Sequence, residues 1–448
     1  MLPNDAYIVK VEKLVNDGFG IAHLNNKVIF IPKSIPEDVV EIRITHKKRK
    51  CYFAKVIKQI TPSPLRKTSQ CIHATSCGGC QYQDIDYPTQ LKLKTAILSD
   101  TLTHSFPELN PILQAVTPCK QTQYYRNKME FAFGKTAENK LTLGLKKQGH
   151  YDSVIPITDC QLLSAESNDM LTKSRQFFET SKLPLWDPYK QSGCLRHLGI
   201  RHSKAENTYM VNIIASTQEP IFNNYAAYIQ KEHPNITSVN HIHIIEKTGQ
   251  STTTTCHHLA GDPHIIEHIN TLKCIISPLS FFQTNSHQVG VLYDTIKNLV
   301  HLSPHQTLLD LYCGTGTIGL YASSPDTKLI GIEENPSAIE NANQNAALNK
   351  LTHGHFFHGR VKNILKFEPI KADCVIVDPP RSGMVPKALK RTCELQAPEL
   401  IYVSCNPVTL FRDLKVMTQH GYKVDTLIPV DMFPHTYHLE CVAKLTLN

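Results

Sequence analysis

Residues 308–320, LLDLYCGTGTIGL, decide the fold of this chain. An apolar stretch ends at Leu311, and Gly314, Gly316 and Gly319 follow at short intervals before more apolar residues. This spacing predicts a strand, a glycine turn and a helix, so that a ligand can approach backbone amides at the helix start. We therefore place Gly314 in a cofactor pocket. The spacing also satisfies the dinucleotide pattern GxGxxG, so this stretch alone leaves a nicotinamide cofactor as an alternative.

From residue 271 onward, apolar segments alternate with amphipathic ones. KLIGIEE at 328–334, DCVIVD at 373–378 and ELIYVSC at 399–405 are predicted to be buried strands between helices. This alternation is typical of a parallel sheet doubly wound by helices, and it predicts a Rossmann-like α/β domain. Glu333 lies at the end of one such strand, where a carboxylate can hold the ribose hydroxyls of a nucleoside-containing cofactor.

Two short polar motifs, DPPR at 378–381 and SCNP at 404–407, end two of the predicted strands. Ligands of open α/β sheets sit at the carboxyl ends of strands, so we expect both motifs in the crevice that holds Gly314. Cys405 precedes Asn406, a predicted helix cap, and the positive end of that helix is expected to lower the pKa of the thiol. Hydride transfer does not require such a pair of motifs, which disfavours a nicotinamide cofactor.

The first 60 residues are predicted to form several short β-strands, with a turn at Asp17-Gly18. Several strands in so short a stretch predict a small barrel, and the spacing of its glycines and prolines resembles the TRAM domain, an OB-like RNA-binding barrel. Lys47–Lys50 lie beside Tyr52 and Phe53, which is the combination of charge and aromatic rings that binds single-stranded RNA.

The polar segment TPSPLRKTSQ at 61–70 is predicted to be a linker. Mixed strand and helix patterns follow it as far as residue 270. We therefore divide the chain into an N-terminal barrel at 1–60, a mixed α+β central domain at 61–270 and the α/β domain at 271–448.

The composition agrees with a globular enzyme whose partner is a polyanion. Apolar residues make up 41% of the chain, and 47 Lys and Arg exceed 39 Asp and Glu by 8. No apolar run is long enough to cross a membrane, and the first residues lack the features of an export signal. We expect a cytoplasmic protein with no membrane partner, in which the 14 cysteines are reduced.

The segment CIHATSCGGC at 71–80 places Cys71, Cys77 and Cys80 close together. Three thiolates at this spacing are typical of a metal site that takes a fourth ligand from elsewhere. Four thiolates can hold zinc or a four-iron, four-sulfur cluster, and spacing alone does not choose between them.

Together, several motifs resemble the class of RNA uracil-5-methyltransferases, in particular the 23S rRNA type with a TRAM domain and an iron-sulfur cluster. The motifs are LDLYCGTGTIGL, DPPR, SCNP, HLE at 438–440, FFQTN at 281–285 and ANQNAALN at 342–349. The resemblance spans nearly the whole chain. It implies S-adenosylmethionine as cofactor and RNA as partner. We separately expect a monomeric enzyme.

The resemblance also implies roles for individual residues. Gln283, Tyr312, Glu333 and Asp378 are expected to contact S-adenosylmethionine, with Phe281 and Thr317 lining the pocket. Cys405 is the expected nucleophile and Glu440 the expected proton acceptor. Cys160 is the expected fourth ligand, and the resemblance favours the four-iron, four-sulfur cluster, in a structural role, over zinc. HGRVKN departs from the family at Arg360, near which the family usually has a small polar or acidic residue.

The chemistry explains why a cysteine is needed. Carbon 5 of uridine is a poor nucleophile, and addition of a thiolate at carbon 6 makes carbon 5 able to take a methyl group. A base must then remove the proton on carbon 5. The uridine must leave its stack for the thiolate to reach carbon 6.

Other functions remain as alternatives at this point. One is the same chemistry on transfer RNA, whose enzymes usually lack the barrel and the cluster. A second is a non-catalytic RNA-binding protein that keeps the fold, and a third is a base-amino methyltransferase. Arg381 stands where that third class carries an aromatic residue after DPP, and the presence of Cys405 and Glu440 disfavours the second.

Overall fold

The computed structural model describes residues 5–136, 138–246, 252–351 and 353–448. These residues form two compact units, each built from segments that are distant in sequence. Unit 1 consists of the described residues of Met1–Gln70, Cys80–Cys119 and Asp378–Asn448, and unit 2 of those of Cys71–Gly79 and Lys120–Val377. These two units are groups of residues that pack together, and they do not mark where one domain ends and the next begins. The domain boundaries at residues 60 and 270 therefore stay a prediction.

Unit 1 begins with six strands: β1 (Ala6–Lys10), β2 (Lys13–Val15), β3 (Phe19–Leu24), β4 (Lys27–Ile31), β5 (Val39–Lys48) and β6 (Cys51–Thr61). They form one sheet in the order β1-β5-β6-β4-β3-β2. Every second residue at the start of β5 is buried, as expected for a strand with one face on a core, and Ile29, Val40 and Ile42 lie in that core. The predicted N-terminal β-barrel is confirmed.

Helix α1 (Tyr87–Ser105) follows the barrel in unit 1. The Asp86 carboxylate caps its first turn by accepting a hydrogen bond from the Thr89 N–H at 2.9 Å. The helix buries two polar side chains, Gln90 and Lys94, among its apolar residues. Buried polar groups need partners, and those of Gln90 and Lys94 lie near the site described below.

The central sheet of unit 2 contains β7 (Lys128–Lys135), β8 (Leu141–Lys147), β9 (His150–Pro156), β10 (Leu195–Ser203), β11 (Thr208–Ala215), β12 (Ile236–Ile245) and β13 (Thr253–Gly261). Its order is β13-β12-β11-β10-β7-β8-β9, with the pair β11 and β12 parallel and the other neighbours antiparallel. Helices α2 (Ala165–Glu179) and α3 (Ile221–Glu232) pack against it, and the hairpin β14 (Ile265–Ile269) and β15 (Leu272–Ile276) follows. This agrees with a mixed α+β region.

The rest of unit 2 alternates helices and strands: α4 (Ser286–Lys297), β16 (Thr307–Leu311), α5 (Thr317–Ala322), β17 (Lys328–Glu333), α6 (Pro336–Leu348), β18 (Gly354–His358), α7 (Val361–Phe367) and β19 (Cys374–Val377). These strands run parallel in the order β18-β17-β16-β19. All four residues of β19 are buried, which is the pattern of a parallel strand covered on both faces.

The C-terminal part of unit 1 contains α8 (Pro386–Glu394), β20 (Glu399–Ser404), α9 (Pro407–Gln419), β21 (Tyr422–Val430) and β22 (Glu440–Leu447). The strand order is β20-β22-β21, and β22 is antiparallel to both neighbours. The predicted Rossmann-like α/β fold is confirmed. Among the described residues, no helix is long and apolar enough to span a membrane.

Candidate active site

Cys405 and Glu440 come close together at the end of two antiparallel strands of unit 1. Ser404, the last residue of β20, pairs with Cys441 of β22. Cys405 directly follows Ser404, and Glu440, the first residue of β22, directly precedes Cys441. The Glu440 carboxyl group lies near enough to act electrostatically on the Cys405 thiol. The fold therefore brings the predicted nucleophile and the predicted base together.

The surroundings of Cys405 favour the neutral thiol. Burial, the largest cause, and the nearby carboxyl groups of Glu440 and Asp378 together raise its pKa to about 11, although the Arg381 guanidinium opposes them. The expectation that the helix end lowers this pKa is therefore wrong for the RNA-free protein. The helix end is present, but burial and two acidic neighbours outweigh it.

The two carboxyl groups also have raised pKa values. Burial raises the pKa of Glu440 to about 8, with a further contribution from Asp378, and burial raises that of Asp378 to about 7. Glu440 is only 5% exposed. A base is most effective when its pKa lies near the working pH, and these values meet that condition.

The DPPR and SCNP motifs are joined by the side chain of Asn406. Its Oδ1 accepts a hydrogen bond from the Val408 N–H at 3.2 Å and so caps α9, as predicted. Its Nδ2 donates to the Arg381 carbonyl at 2.9 Å. One side chain therefore fixes the start of the helix behind Cys405 and the loop that carries Arg381.

The segment between β21 and β22, residues 431–439, is anchored to α1 by buried polar groups. Lys94 Nζ lies 2.7 Å from Asp431 Oδ1, and both side chains are 0% exposed. Tyr87 Oη donates to the other Asp431 carboxylate oxygen at 2.9 Å, and the His435 N–H donates to Gln90 Oε1 at 2.8 Å. These bonds hold the chain that leads directly into Glu440.

A small cavity in unit 1 reaches Cys405. Its volume is about 20 Å³, and its walls include Asn16, Arg381, Cys405, Tyr437 and His438. That volume holds about one water molecule. A pyrimidine ring is much larger, so this cavity must widen before it can admit a base.

The glycine turn of unit 2 and Glu333 also come together. The Glu333 carboxylate ends β17 and accepts hydrogen bonds from the Gly314 N–H at 3.2 Å and the Asn335 N–H at 2.8 Å. Gly314 has a φ of 53°, and a Cβ there would meet no atom within 4 Å. The turn therefore leaves open space beside a fixed carboxylate, which suits a ligand that carries ribose hydroxyls.

The other residues expected at the cofactor pocket differ in exposure. Thr317 is buried, and its hydroxyl lies 2.8 Å from Tyr293 Oη. Gln283 is also buried, and its backbone carbonyl accepts a hydrogen bond from Asn127 Nδ2 at 2.8 Å. Tyr312 has a φ of 62° in the glycine turn, and Phe281 is 66% exposed. Arg360, where the sequence departs from the family, has its Nε 3.1 Å from Glu334 Oε2. The structure gives Arg360 a surface ion pair.

Three of the four predicted cluster ligands approach one another in unit 2. His73 Nε2 accepts from the Thr158 N–H at 3.2 Å, which brings the segment carrying Cys71 and Cys77 to Cys160. Burial raises the pKa of Cys160 to about 11, and Cys77 and Cys71 act on it electrostatically. Cys80 belongs to unit 1.

No group of three or more His, Cys, Asp or Glu side chains is arranged as a metal site in the part of the chain that the structure describes. The cluster therefore stays a prediction. Outside the predicted cluster, Cys313 and Cys441 are buried. Cys256 is exposed because it lies on β13, at the edge of its sheet.

Comparison with known proteins identifies the family. The model described as tRNA (Uracil-5-)-methyltransferase matches residues 276–447, and that of the tRNA (uracil(54)-C(5))-methyltransferase TRAM domain matches residues 8–65. An uncharacterized RNA methyltransferase of Bacillus cereus is 34% identical over 99% of this chain and 97% of its own length. Another, from Caldanaerobacter subterraneus, is 33% identical over 99% of each chain.

A solved structure is similar over nearly the same length. It is the crystal structure of Pyrococcus abyssi tRNA (uracil-54, C5)-methyltransferase in complex with S-adenosyl-L-homocysteine. The two structures have a TM-score of 0.78 and 27% identity, and the match covers 98% of this chain and 100% of that one.

The fold is that of an α/β methyltransferase domain with an N-terminal TRAM barrel. With these relatives, the chain belongs to the RNA (uracil-5-)-methyltransferase family and is an RNA methyltransferase.

Proposed function

We propose that this chain uses S-adenosylmethionine to convert uridine to 5-methyluridine in structured RNA. The observation that carries the proposal is the proximity of Cys405 and Glu440, which adjoin the paired residues Ser404 and Cys441. A nucleophile and a base this close can act in turn on carbons 6 and 5 of one pyrimidine ring, which are themselves adjacent. The Pyrococcus abyssi enzyme, named for uracil-54 carbon 5 methylation, supports the same reaction.

In this proposal Cys405 gives its proton to water, and its sulfur bonds to carbon 6. The double bond between carbons 5 and 6 breaks, and its electron pair moves towards carbon 5 and the carbonyl at carbon 4, which leaves carbon 5 nucleophilic. S-adenosylmethionine, when bound, supplies an electrophilic methyl group. Glu440 then removes the proton from carbon 5, and the released electron pair restores the double bond between carbons 5 and 6 as Cys405 leaves. Cys405 returns as the thiolate, and Glu440 holds the proton that uridine has lost.

The residues of the glycine turn fit the proposed cofactor. Glu333 would hold the ribose hydroxyls, while Gly314 leaves room for the ligand, since no atom lies within 4 Å of the position of a Cβ. Gln283, Tyr312 and Thr317 stay proposed contacts on the basis of the resemblance. Asp378, proposed as a further contact, also lies close enough to Cys405 and Glu440 to raise the pKa of each.

We propose 23S rRNA as the substrate, on the basis of the resemblance in barrel and cysteine motif. Transfer RNA is the second candidate, because the matching TRAM model and the similar Pyrococcus abyssi structure both belong to enzymes named for uracil-54 of tRNA. The presence of a TRAM barrel therefore does not distinguish an rRNA enzyme from a tRNA enzyme, contrary to the expectation that tRNA enzymes usually lack it. We further propose a monomeric, cytoplasmic enzyme.

We also propose that Cys71, Cys77, Cys80 and Cys160 hold a four-iron, four-sulfur cluster. The proximity of Cys71 and Cys77 to Cys160 supports a thiolate set. The Gly79 N–H donates to Cys77 Sγ at 3.3 Å, a bond of the kind that stabilises cluster thiolates. Such a cluster would be structural.

The experiment that tests the substrate uses labelled S-adenosylmethionine with unmodified 23S rRNA and unmodified tRNA in parallel. We expect 5-methyluridine in 23S rRNA, located by digestion and mass spectrometry. Label in tRNA alone would replace the rRNA proposal by the second candidate. Label on an exocyclic amino group, or on no base in either RNA, would contradict carbon 5 methylation.

A further inference from the structure

A turn of the TRAM barrel reaches the cavity of Cys405 within unit 1. The turn consists of Asn16–Gly18, between β2 and β3. Asn16 is part of the cavity wall. Gly18 has a φ of 71°, and a Cβ at this residue would lie 2.4 Å from Cδ1 of Tyr437, another wall residue. The turn therefore packs against the Tyr437 ring with no space between them.

An ion pair joins this turn to the loop after β19. Arg381 Nη2 donates to Asp17 Oδ1 at 2.7 Å, across 364 positions of sequence. Asp17 has a φ of 65°, a left-handed conformation that the turn must hold to present its carboxylate. Tyr437 also lies close enough to raise the pKa of Arg381, and both residues line the cavity. The guanidinium is thereby held at the cavity beside Asp17 and Tyr437.

Arg381 is also the positive group that acts on the nucleophile. It is the charged neighbour that lowers the pKa of Cys405, against burial and the carboxyl groups of Glu440 and Asp378. While Asp17 neutralises the guanidinium, part of this effect is lost. The Arg381 and Asp17 side chains are 54% and 50% exposed, and a pair this exposed contributes little to stability, so it can be exchanged readily.

We propose that Asp17 is a positioning residue that acts through Arg381 and closes the cavity of Cys405 until RNA binds. A phosphate of the RNA that carries the target nucleotide takes the place of Asp17 on Arg381, because the guanidinium fork binds phosphate as well as carboxylate. The turn then separates from Arg381, and the cavity opens to admit the base. This inference rests on the proposed function for the identity of the RNA. The first test below uses no RNA and is therefore independent of the proposed function.

The first test measures the alkylation rate of Cys405 by iodoacetamide without RNA, peptide by peptide in a mass spectrometer. We expect Asp17→Asn to raise the rate at Cys405 several-fold over wild type. The exposed Cys256 provides an internal standard that stays constant, and the buried Cys441 reports unfolding if its rate also rises. Glu12→Gln, which removes another exposed carboxylate of the same barrel, is the matched control and leaves Cys405 unchanged.

Equal rates at Cys405 in wild type and Asp17→Asn would overturn the closing role of Asp17. A rise at Cys405 together with Cys441 would also overturn it, because the change would then be general loosening. Since no RNA is present, neither result depends on whether the chain methylates uridine.

The second test separates the binding of RNA from the chemical step. With the RNA that is methylated, Asp17→Asn should lower KM by about threefold, the factor that an exposed ion pair supplies, and leave kcat unchanged. Arg381→Gln should raise KM whether or not Asp17 is present. An unchanged KM in Asp17→Asn, or a loss confined to kcat, would overturn the exchange of Asp17 for phosphate.

Discussion

Cys405 lies near Glu440, because each residue adjoins one member of the strand pair formed by Ser404 and Cys441. Since β22 runs antiparallel to β20, the carboxyl end of one strand meets the amino end of the other. A thiol and a carboxyl group separated by 35 residues are thereby held together at the ends of two paired strands. The position of Glu440 as base follows from this relationship.

Glu440→Gln should trap the reaction after methyl transfer. Without the base, the proton on carbon 5 stays and the bond between Cys405 and carbon 6 cannot break, so RNA and protein remain joined. We expect turnover to fall at least about 100-fold, as for loss of a general base, and a slow-migrating band on a denaturing gel. Cys405→Ala should give no such band, and Cys441→Ala should behave as wild type. Normal turnover by Glu440→Gln would remove the residue from the mechanism.

The raised pKa of Glu440 predicts a pH-dependent stability. Its pKa rises from an ordinary 4.5 to about 8 on folding, so its contribution to stability is complete below about pH 4.5 and is lost as the pH rises through about 8. Glu440→Gln removes the titrating group. The variant should therefore gain several degrees in Tm relative to wild type between about pH 5 and about pH 9. A constant Tm difference across that range would show that Glu440 is not buried as a neutral acid.

Glu333→Gln should weaken the binding of S-adenosylmethionine and leave that of RNA unchanged. The substitution removes the charge that accepts two backbone N–H bonds and that we expect to hold the ribose. Hydrogen bonds to charged groups are worth about 1.5–3 kcal/mol, so the Kd for the cofactor should rise about tenfold or more. Glu334→Gln, at the exposed neighbour paired with Arg360, is the control. Equal affinities in the two variants, by calorimetry, would exclude Glu333 from the pocket.

Cys160→Ala should lower the iron and sulfide content of anaerobically purified protein. Cys160 is the proposed ligand outside the 71–80 segment, so its loss leaves three thiolates for the cluster. Cys194→Ala, at another buried cysteine of unit 2, should keep the metal content of wild type. Zinc in place of iron in the wild-type protein would contradict the cluster and leave a thiolate metal site.

Local features of the site could be predicted from the sequence. Asn406 and Asn335 cap helices because an Asn before Pro at the first turn has the right side chain for the exposed N–H groups, whatever the rest of the fold does. The strand, turn and helix around Gly314 follow from residues adjacent in sequence. The parallel winding of the α/β domain follows from hydrophobic periodicity.

Features that depend on distant residues could not be predicted. Strand order decides that β22 lies between β20 and β21, and no local pattern in the sequence specifies it. The raised pKa of Cys405 was missed because burial and the neighbouring carboxyl groups arise only from the tertiary fold. The contact of Asp17 with Arg381 spans the barrel and the C-terminal region, and the only sequence signal was an Asn-Asp-Gly turn.

The measurement that tests the central claim most directly is tritium release from RNA labelled at carbon 5 of uridine. Wild type and Cys405→Ala are compared with S-adenosylmethionine and unmodified 23S rRNA, with tRNA as the second substrate. We predict release by wild type alone, in proportion to the methyl groups transferred. Methyl transfer without release of tritium, or release by Cys405→Ala at the rate of wild type, would contradict carbon 5 methylation through Cys405.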